Sequence, residues 1–106
     1  MNYAGRYRFK PRRVDANHAE IKSALTLARY DVIDTAKYGF PCDFLVIFQG
    51  VTYWIEVKDS EKSTSQKKLT DEESKLAEIL ARNGCQLHVV ESPDEALELL
   101  TGERND

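Results

Sequence analysis

Three residues in the middle of the chain have the types and the spacing to do chemistry. Glu56 and Lys58 stand two apart in Val51-Thr52-Tyr53-Trp54-Ile55-Glu56-Val57-Lys58, a run rich in β-branched and aromatic residues. Side chains two apart on a strand leave the same face, so the acid and the amine stand together while Ile55 and Val57 face the core. Alone, this pairing reads more readily as a cross-strand ion pair, which is common and contributes little. Asp43 changes the reading. It heads the apolar run Phe44-Leu45-Val46-Ile47-Phe48, and Gln49-Gly50 between the two runs is a tight-turn signal. Pairing around that turn sets Asp43 beside the Glu56 end of the returning strand. Two carboxylates brought together repel unless a cation sits between them, and a hard ion such as Mg²⁺ prefers such ligands while keeping several waters. An ion held there activates water and neutralises charge on a pentavalent phosphate, and a nearby lysine assists. The chemistry implied is phosphodiester hydrolysis.

The elements that must position these residues follow from patterning. Asn17 followed by Glu20 fits a capping box, with Asp15 as a rival N-cap. Ile21, Ala24, Leu25 and Ala28 recur at helical spacing, predicting a helix over about 16–29. Residues 30–36 read as a first strand, broken by Tyr38-Gly39-Phe40-Pro41. The continuous apolar run 44–48 is expected of a strand buried on both faces. Residues 59–68 hold three Lys, three Ser and one Thr without an apolar anchor, and read as a loop. Thr70 with Glu73 three residues on predicts a capped second helix, with Leu76, Ile79 and Leu80 as its buried stripe and Asn83-Gly84 as its end. Gln86 to Glu91 reads as a strand. Ser92-Pro93-Asp94-Glu95 opens a last helix that buries Ala96, Leu97, Leu99 and Leu100. The order is α-β-β-β-α-β-α, an α+β (α/β-type) chain with a mixed central sheet flanked by helices.

With 106 residues the chain is read as a single domain over 15–101, between a basic arm (1–14) and a polar tail (102–106). No apolar run is long enough to cross a membrane, and no apolar stretch follows the basic start, so no signal peptide and a cytoplasmic location are expected. Cys42 and Cys85 form no CxxC pair and read as free thiols. The formal net charge of −3 conceals a strong asymmetry. Arg6, Arg8, Lys10, Arg12 and Arg13 place five positive charges in the first 13 residues, while Asp71 to the end holds ten acidic and three basic residues. The arm, with Tyr3, Tyr7 and Phe9 interleaved, reads either as a solvated leader or as a phosphate-contacting segment. Lys62, Lys67 and Lys68 carry the same two readings, backbone-phosphate contacts or a solvated loop. His18, near a helix cap, and His88, within a strand, are not assigned catalytic roles. Trp54 reads as packing beneath a helix, with stacking on an unpaired base as the second reading.

Asp43 followed by Glu56-Val57-Lys58 on the next strand resembles the PD-(D/E)xK nuclease superfamily, and within it the stand-alone virus-type replication-repair nuclease (VRR-NUC) domains of phages and bacteria. Further similar stretches are Asp15-Ala16-Asn17, Glu20-Ile21, Gly39-Phe40-Pro41, Asp43-Phe44-Leu45-Val46, Glu56-Val57-Lys58-Asp59 and Lys68-Leu69-Thr70, running from about Asp15 to Leu100. The resemblance implies a restriction-endonuclease-like α-β-β-β-α-β core. It implies Mg²⁺ or Mn²⁺ held by Asp43, Glu56 and the Val57 backbone carbonyl, with Lys58 as the catalytic lysine. It also matches Glu20 to an acidic residue facing the metal, against its reading as a capping-box glutamate. The implied activity is DNA cleavage by a homodimer, extending to branched DNA and four-way junctions, in the host-cell cytoplasm if the gene is phage-borne. Two departures stand out. Cys42 separates Pro41 from Asp43, which is expected to alter the entry turn and leave the ligand in place. Glu73-Ser74 stands where many relatives carry a Gln early in the second helix, and Gln66 could substitute only if the loop folds back. Two further readings stay open: a non-catalytic nucleic-acid-binding module that keeps the fold, and a nuclease acting on RNA.

Overall fold

The computed structural model describes residues 14–59 and 68–104. The hairpin at its centre is fixed by its turn. Gln49 and Gly50 both have positive φ (51° and 82°), the requirement of a two-residue turn whose twist matches the flanking strands. Strand β2 (Phe44–Phe48) and strand β3 (Val51–Val57) then pair antiparallel, from Phe48 opposite Val51 to Phe44 opposite Ile55. Strand β1 (Asp31–Asp34) adds antiparallel to β2, and strand β4 (Leu87–Val90) adds parallel to β3. The sheet is therefore mixed, in the order β1-β2-β3-β4. Helix α1 (His18–Leu27) precedes it, α2 (Asp71–Arg82) makes the β3–β4 crossover, and α3 (Pro93–Arg104) follows. The α+β class and the predicted element order hold. The last helix continues through residues 102–104, which patterning had left in the tail.

One sheet face carries Phe44, Val46, Tyr53, Ile55, Val57 and Val90, and packs against Ile21 and Leu25 of α1 and Ala96 and Leu100 of α3. The other carries Trp54 and Leu87 beneath Leu76 and Leu80 of α2, with Phe40, Cys42 and Leu69 around them. Helix α2 covers only the β3–β4 half. Ile33 and Ile47 on the β1–β2 half of that face are 45% and 49% exposed, so β2 is buried on one face, not on both as expected. Ile79 is also exposed, because the inward stripe of α2 is Glu73, Leu76 and Leu80 and Ile79 lies a step around the helix from it.

The first strand is shorter than predicted. Residues 35–38 turn as a 3₁₀ helix that ends at Gly39, whose φ of 75° suits glycine. The first capping box is absent. Asn17 occupies the N-cap, but its side chain makes no cap hydrogen bond: it is turned so that Nδ2 donates to the carbonyls of Lys58 (3.1 Å) and Glu91 (2.6 Å), and Oδ1, the cap acceptor, meets no donor among the described residues. That amide ties α1 to the ends of β3 and β4. The second capping box forms as expected between Thr70 and Glu73. Cys42 is a buried free thiol and Cys85 an exposed one. Among the described residues, no helix is long and apolar enough to cross a membrane.

Candidate active site

The hairpin register runs as far as Phe44 opposite Ile55, and Asp43 lies one residue beyond it, at the end of the hairpin where Glu56 stands. The Asp43 amide donates to the Ile55 carbonyl (3.0 Å), and the Val57 amide donates back to Asp43 Oδ2 (2.8 Å). Val57 thus meets Asp43 through its N–H. Cys42 packs into the entry turn ahead of Asp43. It is fully buried, its carbonyl accepts from Thr35 Oγ1 (2.8 Å), and Asp43 still enters β2 at its head.

Glu56 and Lys58 share a face as expected, with Lys58 Nζ 3.4 Å from Glu56 Oε2. Both are buried, at 3% and 7% exposure. A third acid joins them from above. Glu73, 1% exposed, accepts from Lys58 Nζ (2.9 Å) and from the Thr70 amide (2.8 Å) through the same oxygen, Oε1. The doubt raised by Glu73-Ser74 is therefore answered by Glu73 itself, which brings α2 into the site. The Thr70–Glu73 capping pattern marked the helix start, yet an inward-facing first-turn glutamate was readable only once α2 was phased against the sheet.

Charge explains how the cluster is protonated. Glu56 and Glu73 share one ammonium, and the Asp43 charge acts on Glu56 from the head of β2. Burial, followed by the Asp43 and Glu73 charges and a hydrogen bond shared with Glu73, pushes the Glu56 carboxyl up to about 9, against a smaller opposing pull from Lys58. At neutral pH, without a cation, Glu56 keeps its proton, and Lys58 pairs chiefly with Glu73. Burial lowers Lys58, but the hydrogen bond to Glu73 and the charges of both acids more than offset it, so the ammonium is held above its ordinary range. Glu56 Oε1 remains buried with no hydrogen-bond partner.

His18, which patterning set near a helix cap without a catalytic role, also meets Asp43. It is buried at the start of α1, with Nδ1 2.8 Å from Asp43 Oδ1 and Nε2 3.3 Å from Asp34 Oδ2. Lys22 Nζ reaches the same Asp34 oxygen at 3.3 Å. Burial raises Asp34, but hydrogen bonds from His18 and Lys22 prevail and leave its carboxyl below the usual range. The signal available in sequence was the i, i+3 and i+7 alignment of His18 with Ile21 and Leu25, which puts all three on the buried side of α1.

Glu20 is not brought into this cluster. Two helical residues subtend about 200°, so with His18 turned toward Asp43, Glu20 is exposed. It lines a cleft of about 310 Å³ with Asn17, Asp59, Glu91 and Ser92. Trp54 packs beneath α2 against Phe40, with ring centroids 5.8 Å apart. His88 lies against Tyr53, at 6.0 Å between rings. Lys68 is exposed; Arg6, Arg8, Lys10, Arg12, Arg13, Lys62 and Lys67, and Gln66, lie outside the described residues.

A hard divalent cation fits this donor set. An orphaned carboxylate oxygen, the charge of Asp43 acting on Glu56 and a carboxyl forced to keep its proton are all relieved by added positive charge. Among the described residues, no three His, Cys, Asp or Glu side chains form a cage able to hold a metal alone. An ion here would rest on Asp43 and Glu56 and keep waters, as Mg²⁺ and Mn²⁺ do. Compared with protein-family models, curated proteins and solved structures, the chain matches none of them.

Proposed function

We propose that this protein is a Mg²⁺- or Mn²⁺-dependent nuclease that hydrolyses phosphodiester bonds in DNA. The observation that carries the reading is the buried Asp43–Glu56 pair with its unpartnered Oε1, set beside a lysine kept charged by a third acid. Asp43 and Glu56 would hold the ion, with the Val57 carbonyl as the further ligand implied by the PD-(D/E)xK resemblance. The ion supplies Lewis acidity and an activated water when bound.

The chain's own residues account for the rest. Glu56 must release its proton to act as a ligand, and the charge that now holds that proton then favours the cation instead. Lys58 contributes a fixed positive charge toward the phosphate oxygens as negative charge accumulates on them. Glu73 receives that ammonium at 2.9 Å and keeps it aimed. The Val57 amide and His18 hold one Asp43 oxygen each.

Action by a homodimer on branched or four-way-junction DNA, and a cytoplasmic location, rest on the resemblance alone and are part of the proposal. Two reasons for preferring a non-catalytic binding module have weakened, since Asp43 keeps its place behind Cys42 and Glu73 fills the helix position. The test is incubation of purified protein with labelled duplex, single-stranded and four-way-junction DNA, and with RNA, with and without Mn²⁺. Cleavage requiring Mn²⁺ and lost in Asp43→Ala and Lys58→Ala proteins is expected. Cleavage that persists in both variants refutes the site, and metal-independent binding without cleavage of any substrate favours the module. Cutting of RNA in preference to DNA would redirect the substrate without changing the site.

A further inference from the structure

The Asp43 carboxylate is gripped on both oxygens. The Val57 amide holds Oδ2 at 2.8 Å, and His18 Nδ1 meets Oδ1 at 2.8 Å. The His18 ring is itself constrained. It lies 4.3 Å from the Phe44 ring, centroid to centroid, and its second nitrogen faces Asp34 Oδ2 at 3.3 Å. The Asp34 side chain is nine-tenths buried, and Lys22 shares its Oδ2. A histidine that merely filled the core would need one acceptor and no second carboxylate. Here a buried acid stands behind the ring and a candidate ligand in front of it, with α1 supplying the ring and β1 the acid.

We propose that His18 is a positioning residue, backed by Asp34, that fixes the orientation of the Asp43 carboxylate for a divalent cation; the inference rests on the metal-dependent reading above. Hydrogen bonds to a ligating carboxylate limit its rotation and lower the ordering cost of binding, and losing such a partner typically weakens metal affinity by ~10–100-fold. With His18 removed, the Val57 amide is the restraint left on the Asp43 carboxylate among the described residues. The effect therefore falls on binding of the ion, not on the chemical step once the ion is bound.

Mn²⁺ alone, titrated calorimetrically into the full chain, tests this. His18→Phe keeps a ring against Phe44 and loses both polar contacts; its Mn²⁺ affinity is expected to fall ~10–100-fold. His18→Asn offers an amide N–H where Nδ1 stood and should recover affinity to within about tenfold of wild type, well above His18→Phe. Asp34→Asn, which preserves shape, should weaken Mn²⁺ binding in the wild-type background and change it by less than about twofold in His18→Phe, because it acts through the ring. In cleavage assays, His18→Phe should raise the Mn²⁺ concentration giving half-maximal rate while kcat at saturating Mn²⁺ stays close to wild type.

Wild-type affinity in His18→Phe, no rescue by His18→Asn, or an additive effect of Asp34→Asn would each overturn the inference. Asp43→Asn separates the two levels of the argument. If wild type binds Mn²⁺, Asp43→Asn does not, and His18→Phe binds normally, only the role of His18 is lost. If wild type and Asp43→Asn bind equally or not at all, the metal-dependent reading falls and takes the role of His18 with it. Should His18→Phe not fold, the comparison of His18→Asn with the isosteric Asp34→Asn still decides.

Discussion

Replacing Glu56 by Gln should make the metal-free protein more stable at neutral pH while removing a ligand of the proposed metal site. The folded chain raises this carboxyl from 4.5 to about 9. A raised carboxyl contributes stability fully below its unfolded value, and that contribution is lost as pH climbs toward the folded value. The window therefore runs from about 4.5 to about 9. Within it each pH unit is worth about 1.4 kcal/mol, so between about pH 5 and about pH 7.5 Glu56 withdraws about 3 kcal/mol from the wild type. Gln carries no such proton, yet its amide can still donate to Glu73. The assay is urea unfolding in EDTA, followed by far-UV circular dichroism, of wild type and Glu56→Gln across this range. Near pH 5 the two should be close; by about pH 7.5 the variant should lead by about 3 kcal/mol, a large share of a small domain's total stability. Adding Mn²⁺ should stabilise the wild type and leave the variant unmoved. Parallel pH profiles for the two proteins would show that Glu56 does not hold the proton, and the charge argument for the site would fail.

Other perturbations divide the structure in the same manner. Glu73→Gln keeps an acceptor for Lys58 but removes a negative charge that helps Glu56 retain its proton, so the pH at which Mn²⁺ binding is half-maximal should move down; calorimetric titrations across pH measure it. Glu73→Ala also loses the cap and leaves the Lys58 ammonium short of a partner, costing about 3–5 kcal/mol in urea unfolding. Gln49→Asn, at a turn residue with positive φ, should add about 0.5 kcal/mol without touching the site, since Asn tolerates that conformation better. Phe44→Ala should cost about 3–5 kcal/mol, whereas Ile47→Ala, on the uncovered face of the same strand, should cost well under about half of that.

Much of this arrangement was legible before any coordinates. The turn at Gln49-Gly50 fixed the register of β2 against β3, and that register brings Asp43 to the Glu56 end of the hairpin. Strand periodicity put Lys58 with Glu56, and the Thr70–Glu73 box opened α2 where it does. What escaped were contacts between elements distant in sequence. Periodicity places His18 on the inner side of α1, but only docking of α1 on the sheet reveals that this side meets Asp34 and Asp43. Asn17 and Glu20 fit a local capping rule, and tertiary demand overrode it by spending the Asn17 amide on two strand-end carbonyls. Burial of β2 on both faces was overestimated because apolar content does not tell how far a covering helix reaches.

The Asn17 clasp has a consequence for how the molecule comes together. Its two acceptors lie 41 and 74 residues downstream, at Lys58 and Glu91. The hairpin can close early, because its partners are near neighbours in sequence and such loops form quickly. Helix α1 cannot seat fully until β4 has added to β3, so the grip of His18 on Asp43 is completed late. During synthesis from the N-terminus, a chain that has emerged only as far as Lys58 would carry all three motif residues in an open cradle. Under the proposed function, capacity to bind the ion tightly should then follow the emergence of Glu91, which makes metal retention a reporter of the docking of α1 on the finished sheet.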